Sequence, residues 1–168
     1  MYTKILVAVS TSQDDSLLAS AIETARKYDA RIYALHVVDP TPCILGPADS
    51  DYGLIVEAMQ AHGRDIVARV SQTLYEQPLQ AEVHMLTRPF AGSTVGQQIA
   101  AFGEAQGVDL ILLGKRKAGW WRWLSEDVAA SVRRHAEIPV QIASGTHAAG
   151  SLYRAGSRWS TVPSVRAR

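Results

Sequence analysis

Residues 110–127 read LILLGKRKAGWWRWLSED and contain the pattern that is most informative about the fold. Four consecutive aliphatic residues end at Gly114, which predicts a strand buried on both faces that runs directly into a loop. Glu126 and Asp127 then begin a helix, because acidic residues stabilise the first turn. A buried parallel strand that leads through glycine into a loop and a helix is where α/β folds place ligands.

The loop of this segment is basic and aromatic. It contains the consecutive cations Lys115, Arg116 and Lys117 and the tryptophans Trp120, Trp121 and Trp123. The cations are either a solvated surface or a weak electrostatic phosphate site, and the solvated surface is the favoured interpretation. We expect the tryptophans to pack within the domain or at a dimer contact, since the apolar segment is too short to anchor in a membrane.

Strand-length apolar runs alternate with helical periodicity along the rest of the chain. The predicted strands are residues 5–9, 31–38, 82–86, 110–113 and 140–143, and helical patterns lie at residues 18–25, 55–75, 95–102 and 128–132. Residues 39–53 are rich in proline and glycine, which predicts a long loop. The alternation predicts an α/β, Rossmann-like fold with helices on both faces of a five-stranded parallel sheet.

Right-handed crossovers favour the strand order 3-2-1-4-5. The switch point then lies between the first and fourth strands, and their carboxyl ends form a crevice. The residues that we expect to line it are Ser10, Val37, Val38, Gly114, Lys115, Arg116 and Lys117. The 39–53 loop would serve as a lid.

Charge divides the chain of 168 residues into two parts. Residues 1–144 hold 13 Lys and Arg against 16 acids, and residues 145–168 hold four Arg and no acid. We therefore predict one domain over residues 1–144, followed by a basic tail over residues 145–168. A mildly acidic domain is not a typical nucleic-acid binder. The tail composition fits either a disordered segment or a docking segment for a protein partner.

No catalytic or metal site is predicted. Cys43 is the single cysteine, so an internal disulfide is impossible, and the five histidines show no spacing typical of metal ligands. We expect His36 and His84 to be packed or edge residues of strands. The first apolar run is too short for a signal peptide and no run is long enough for a membrane span, so we expect a cytoplasmic protein.

Four segments together resemble the universal stress protein family. They are KILVAVS at 4–10, ALHVVDP at 34–40, GVDLILLGKRK at 107–117 and VRRHAEIPVQI at 132–142. The resemblance implies the same five-stranded parallel sheet. It also implies a homodimer that pairs along the last strand, where Val140 and Ile142 are the candidate contact residues.

One branch of that family binds ATP or AMP, and this chain departs from its signature. The branch has Gly-x-x-Gly, nine residues, and then Gly followed by Ser or Thr, with an Asp at the end of the first strand. Here Gly114 matches, but Lys117, Glu126 and Asp127 replace the other residues, and Ser10 stands at the Asp position. The missing glycines remove the backbone cradle for phosphate, and the acids repel it.

Two functions therefore remain open. The favoured one is a non-enzymatic stress-response or regulatory module that acts as a dimer through protein contacts and needs no cofactor. The Trp loop, the last strand and the tail are its candidate interaction surfaces. The alternative is a universal stress protein that senses adenine nucleotide, with ATP or AMP held in the crevice.

Overall fold

The computed structural model describes residues 1–10, 15–41, 51–89, 92–115 and 127–143. Five strands and four helices alternate along these residues. In chain order they are β1 (Lys4–Val9), α1 (Asp15–Tyr28), β2 (Arg31–Val38), α2 (Tyr52–Tyr75), β3 (Ala81–Thr87), α3 (Val95–Gln106), β4 (Leu110–Leu113), α4 (Val128–His135) and β5 (Val140–Ile142).

All four strand pairs are parallel, and the order is β3-β2-β1-β4-β5. The predicted order is confirmed. In the register, Ala8 lies opposite Leu113 and Val38 lies opposite Thr87. Every strand therefore ends at the same edge of the sheet, which we call the carboxyl edge. The switch point lies there, between β1 and β4.

Helices cover both faces of the sheet because successive strand residues point to opposite sides. Ile5 and Val7 of β1 face the helices α1 and α2, and Leu6 faces α3 and α4. All four residues of β4 are buried, as expected of a central strand with helices on both sides. Among the described residues, no helix is long and apolar enough to cross a membrane.

One predicted boundary is wrong. The helix α2 begins at Tyr52, inside the segment that the sequence assigned to a loop. Asp51 caps it, because its side chain accepts a hydrogen bond from the Leu54 backbone N–H at 3.2 Å. Gly53 therefore lies in the first helical turn. Residues 42–50, residues 116–126 and the tail lie outside the described residues, so the predictions made for them stay predictions.

Candidate functional site

The candidate crevice lies where β1 and β4 end side by side. Ser10 follows β1 directly and is exposed. Gly114 and Lys115 follow β4, and Lys115 is also exposed. The structure thus brings three of the predicted residues to the carboxyl edge of adjacent strands. Arg116 and Lys117 lie outside the described residues.

The predicted residues at the end of β2 point to opposite faces. Val37 packs with the cluster under α3 and α4. Val38 is buried beneath α2, where a Cβ added to Gly63 would lie 2.9 Å from its Cγ2 atom. The Val38 side chain is therefore part of the core.

His36 on β2 forms a hydrogen bond with the backbone at the end of the neighbouring strand β1. Its Nδ1 lies 3.0 Å from the Val9 carbonyl oxygen, which can only accept, so Nδ1–H is the donor. Burial lowers the pKa of His36, the hydrogen bond to Val9 opposes this, and the charge of His62 lowers it further. His36 is a buried residue of β2, and the prediction that it packs within a strand is confirmed.

An ion pair between Asp39 and Arg88 joins the ends of β2 and β3. Arg88 Nε donates to Asp39 Oδ1 at 2.9 Å, and Arg88 Nη1 donates to the Ser93 carbonyl. The backbone N–H and hydroxyl of Thr41 donate to the same Oδ1 atom, at 3.0 and 2.7 Å. Burial raises the pKa of Asp39, but the hydrogen bonds from Thr41 and Arg88 outweigh it and lower the pKa.

This ion pair is absent from the site residues predicted from sequence. Asp39 and Arg88 each directly follow a strand, β2 and β3 respectively. Charged residues at the carboxyl ends of two neighbouring parallel strands are the signal that could have identified them. Their geometry joins the two loops that leave β2 and β3.

The N-terminus of α4 is capped by the carboxylate of Asp127. Asp127 is the N-cap, and its Oδ1 accepts a hydrogen bond from the Ala130 backbone N–H at 3.0 Å. The Asp127 carbonyl accepts from the Ser131 N–H at 2.9 Å. The helix N-terminus that would attract a phosphate is thus already paired with an acid of the chain.

Val140 and Ile142 lie on β5, which is an edge strand of the sheet formed by the described residues, and both are half-buried. The Pro139 carbonyl accepts from Ile111 N–H, and the Ala143 N–H donates to Leu113. Because backbone groups alternate along a strand, the N–H and C=O groups of Val140 and Ile142 point away from β4. Trp120, Trp121 and Trp123, the other predicted contact residues, lie outside the described residues.

A family model described as the Universal stress protein family matches residues 1–144. This chain belongs to the universal stress protein family. A universal stress protein of Methanocaldococcus jannaschii is 32% identical over 145 residues, which are 84% of this chain and 82% of that protein.

Solved structures of universal stress proteins share the fold. One from Burkholderia pseudomallei has a TM-score of 0.66 and 23% identity, over 84% of this chain and 95% of that chain. One from Archaeoglobus fulgidus, in complex with dAMP, has a TM-score of 0.57 and 22% identity, over 85% of this chain and 98% of that chain. At such identities the likeness establishes the fold alone.

Among the described residues, no group of three or more His, Cys, Asp or Glu could hold a metal ion. Three features therefore lie at the carboxyl edge of this universal stress protein. They are the helix α4 capped by Asp127, the half-buried ion pair of Asp39 and Arg88, and the exposed residues Ser10 and Lys115 at the crevice.

Proposed function

We propose that this universal stress protein is a non-enzymatic regulatory module that acts as a homodimer through protein contacts and does not use a nucleotide. The observation that carries the proposal is the Asp127 cap on α4. A carboxylate bonded at 3.0 Å to the Ala130 N–H holds the position that a phosphate would need. Phosphate binding would have to displace that carboxylate and then remain beside its charge.

The position of β5 as an edge strand of the described sheet supports the proposed dimer. The strand β5 has two half-buried aliphatic side chains, and its backbone groups at Val140 and Ile142 point outward. A second copy of the strand could form hydrogen bonds with these backbone groups. A two-fold axis beside β5 would place the same strand on both sides of the contact. Side chains of Val140 and Ile142 would then lose their remaining exposure to water.

The dimer is tested by Val140→Asp. We expect the variant to be a monomer in analytical ultracentrifugation, because a charge at this edge would be buried by pairing. Thr87→Asp is the matched control, since Thr87 is exposed on the opposite edge strand β3. It should leave the mass unchanged. A dimeric Val140→Asp protein would refute the β5 contact.

Val140 also packs against the core, so folding must be checked separately. Ile142→Pro provides a second variant, since it removes a backbone N–H that points away from β4 and leaves the β4–β5 hydrogen bonds intact. Both variants should retain their circular dichroism spectrum and a cooperative unfolding transition. A folded Ile142→Pro protein that remains dimeric would likewise count against the proposal.

A second candidate function is adenine-nucleotide sensing in the crevice. Gly114 and Lys115 directly beside Ser10 favour it, as does the complex of a structural relative with dAMP. The two functions are separated by the triple variant Lys117→Gly, Glu126→Gly, Asp127→Ser. It restores the residue types of the phosphate signature, although the loop stays one residue shorter. If the acids exclude nucleotide, ATP binding in calorimetry should be stronger in the variant than in the native chain.

A further inference from the structure

The start of α3 and the end of α4 are joined by a chain of side-chain hydrogen bonds. Thr94 caps α3, and its backbone N–H donates to Gln97 Oε1 at 2.7 Å. The Gln97 N–H donates back to Thr94 Oγ1 at 3.2 Å, which completes a capping box. Gln97 Nε2 lies 3.1 Å from His135 Nε2, in the last turn of α4.

The partners of His135 fix its protonation state. Nδ1 lies 2.8 Å from the Ser131 carbonyl oxygen, so it must carry a proton and donate it. Nε2 faces an amide nitrogen that can only donate, so Nε2 must accept and carries no proton. The orientation of the Gln97 amide is fixed in turn, because its oxygen accepts from Thr94. The network is complete only with neutral His135.

We propose that His135 is a pH-responsive latch, whose protonation at Nε2 releases Gln97 and opens the capping box of α3. A proton on Nε2 would place two donors against each other. Gln97 could relieve this by turning its amide, but its NH₂ group would then face the Thr94 N–H. No amide orientation satisfies both neighbours. Because a charged donor makes the stronger hydrogen bond, the Gln97 oxygen turns to protonated His135 and leaves the Thr94 N–H without its acceptor.

The charged residues near His135 lie on α4, directly after it and on the packed helix α3. They are Arg133 and Arg134 on α4, Glu137, which follows the helix, and Glu104 on α3, about two turns from Gln97.

The latch is connected to the carboxyl edge. Ser93, whose carbonyl accepts from Arg88, immediately precedes the Thr94 cap. Thr94 Oγ1 lies 2.9 Å from Ser131 Oγ, so the cap also touches α4. When the capping box opens, Ser93 is no longer held through the Thr94 cap, and its carbonyl keeps only the hydrogen bond from Arg88.

The latch is tested by following backbone amide exchange and chemical shifts by NMR between pH 8 and pH 5. We expect the Thr94 amide to shift in step with the titration of His135. Its protection factor should fall about five-fold, which corresponds to the loss of a typical N-cap. His135→Gln should abolish the transition. His62→Gln, an exposed histidine on α2, is the matched control and should retain it.

Gln97→Glu provides a variant with the opposite expected sign. A carboxylate can accept from the Thr94 N–H and from protonated His135 together, so its Thr94 protection should rise as the pH falls. The proposal would be overturned if the chemical shift and protection factor of the Thr94 amide did not change as His135 is titrated. A transition that persists in His135→Gln would also overturn it, as would Gln97→Glu behaving like the native chain. These readouts do not depend on dimerisation or nucleotide.

Discussion

Arg88 places a cation where only 10% of its side chain meets solvent, beside an Asp39 side chain that is 32% exposed. A charge in such a position is stable only when it is paired and hydrogen-bonded. Asp39 and the Ser93 carbonyl supply that pairing. The pair holds together the ends of β2 and β3, from which the two neighbouring loops depart.

Arg88→Met should destabilise the protein by about 2 kcal/mol, because it removes the cation that pairs with Asp39 and leaves the Ser93 carbonyl without its Arg88 donor. Urea denaturation measures the change. Arg31→Met is the matched control: Arg31 pairs with Glu82 at 3.3 Å, but both side chains are more than 40% exposed. It should cause no measurable change. Equal losses in both variants would show that burial of the Arg88 pair is unimportant.

Sequence alone identifies the elements better than the contacts between them. The strands β1 and β4 were predictable because uninterrupted aliphatic runs are typical of strands covered on both faces. The Asp39–Arg88 pair was not, because the residues are 49 positions apart and meet only through the β2–β3 register, in which Val38 lies opposite Thr87. The start of α2 was missed because the glycine beside the Asp51 cap is typical of a loop.

At the scale of helices, α3 and α4 approach closely at Gly96. A Cβ added there would lie 2.4 Å from the Ser131 Cβ and 2.9 Å from the Val132 backbone nitrogen. Ser131 and Val132 are both buried, so neither can move without shifting α4. The small residue at position 96 is what allows the Thr94 and Ser131 hydroxyls to meet.

Gly96→Ala should therefore cost about 3 kcal/mol of stability through overpacking. Ser131→Gly in the same chain should recover part of that loss, since it removes the closest clashing atom. Gly103→Ala is a matched control in the same helix, because its added Cβ meets only side-chain tips at 3.3 Å or more. Thermal unfolding should rank Gly96→Ala well below Gly103→Ala. A reversed order would contradict the described packing of α3 on α4.

At the scale of the whole molecule, His36 makes folding stability depend on pH. Burial lowers the pKa of His36 in the folded protein. The unfolded chain, in which histidine titrates near about 6.5, then takes up the proton first. Stability should be unaffected by His36 above that value and should decrease as the pH falls below it. The lowered pKa of Asp39 acts in a separate window, below about pH 4.

Urea denaturation at pH 7.5 and pH 5 checks the contribution of His36, with His135→Gln as the background that removes the histidine of the proposed latch. The background protein should lose stability at the lower pH. Adding His36→Gln should lower the stability at both values and reduce the difference between them. An undiminished difference would show that His36 is not the group responsible.

We propose that this universal stress protein works through protein contacts and lacks the phosphate site of the nucleotide-binding branch of its family. Native mass spectrometry of the purified protein, with and without millimolar ATP, is the first test. The Archaeoglobus fulgidus protein that was solved with dAMP, measured with dAMP, serves as the positive control. We expect a dimer without a nucleotide adduct. A stoichiometric ATP or AMP adduct would refute the proposal and favour adenine-nucleotide sensing.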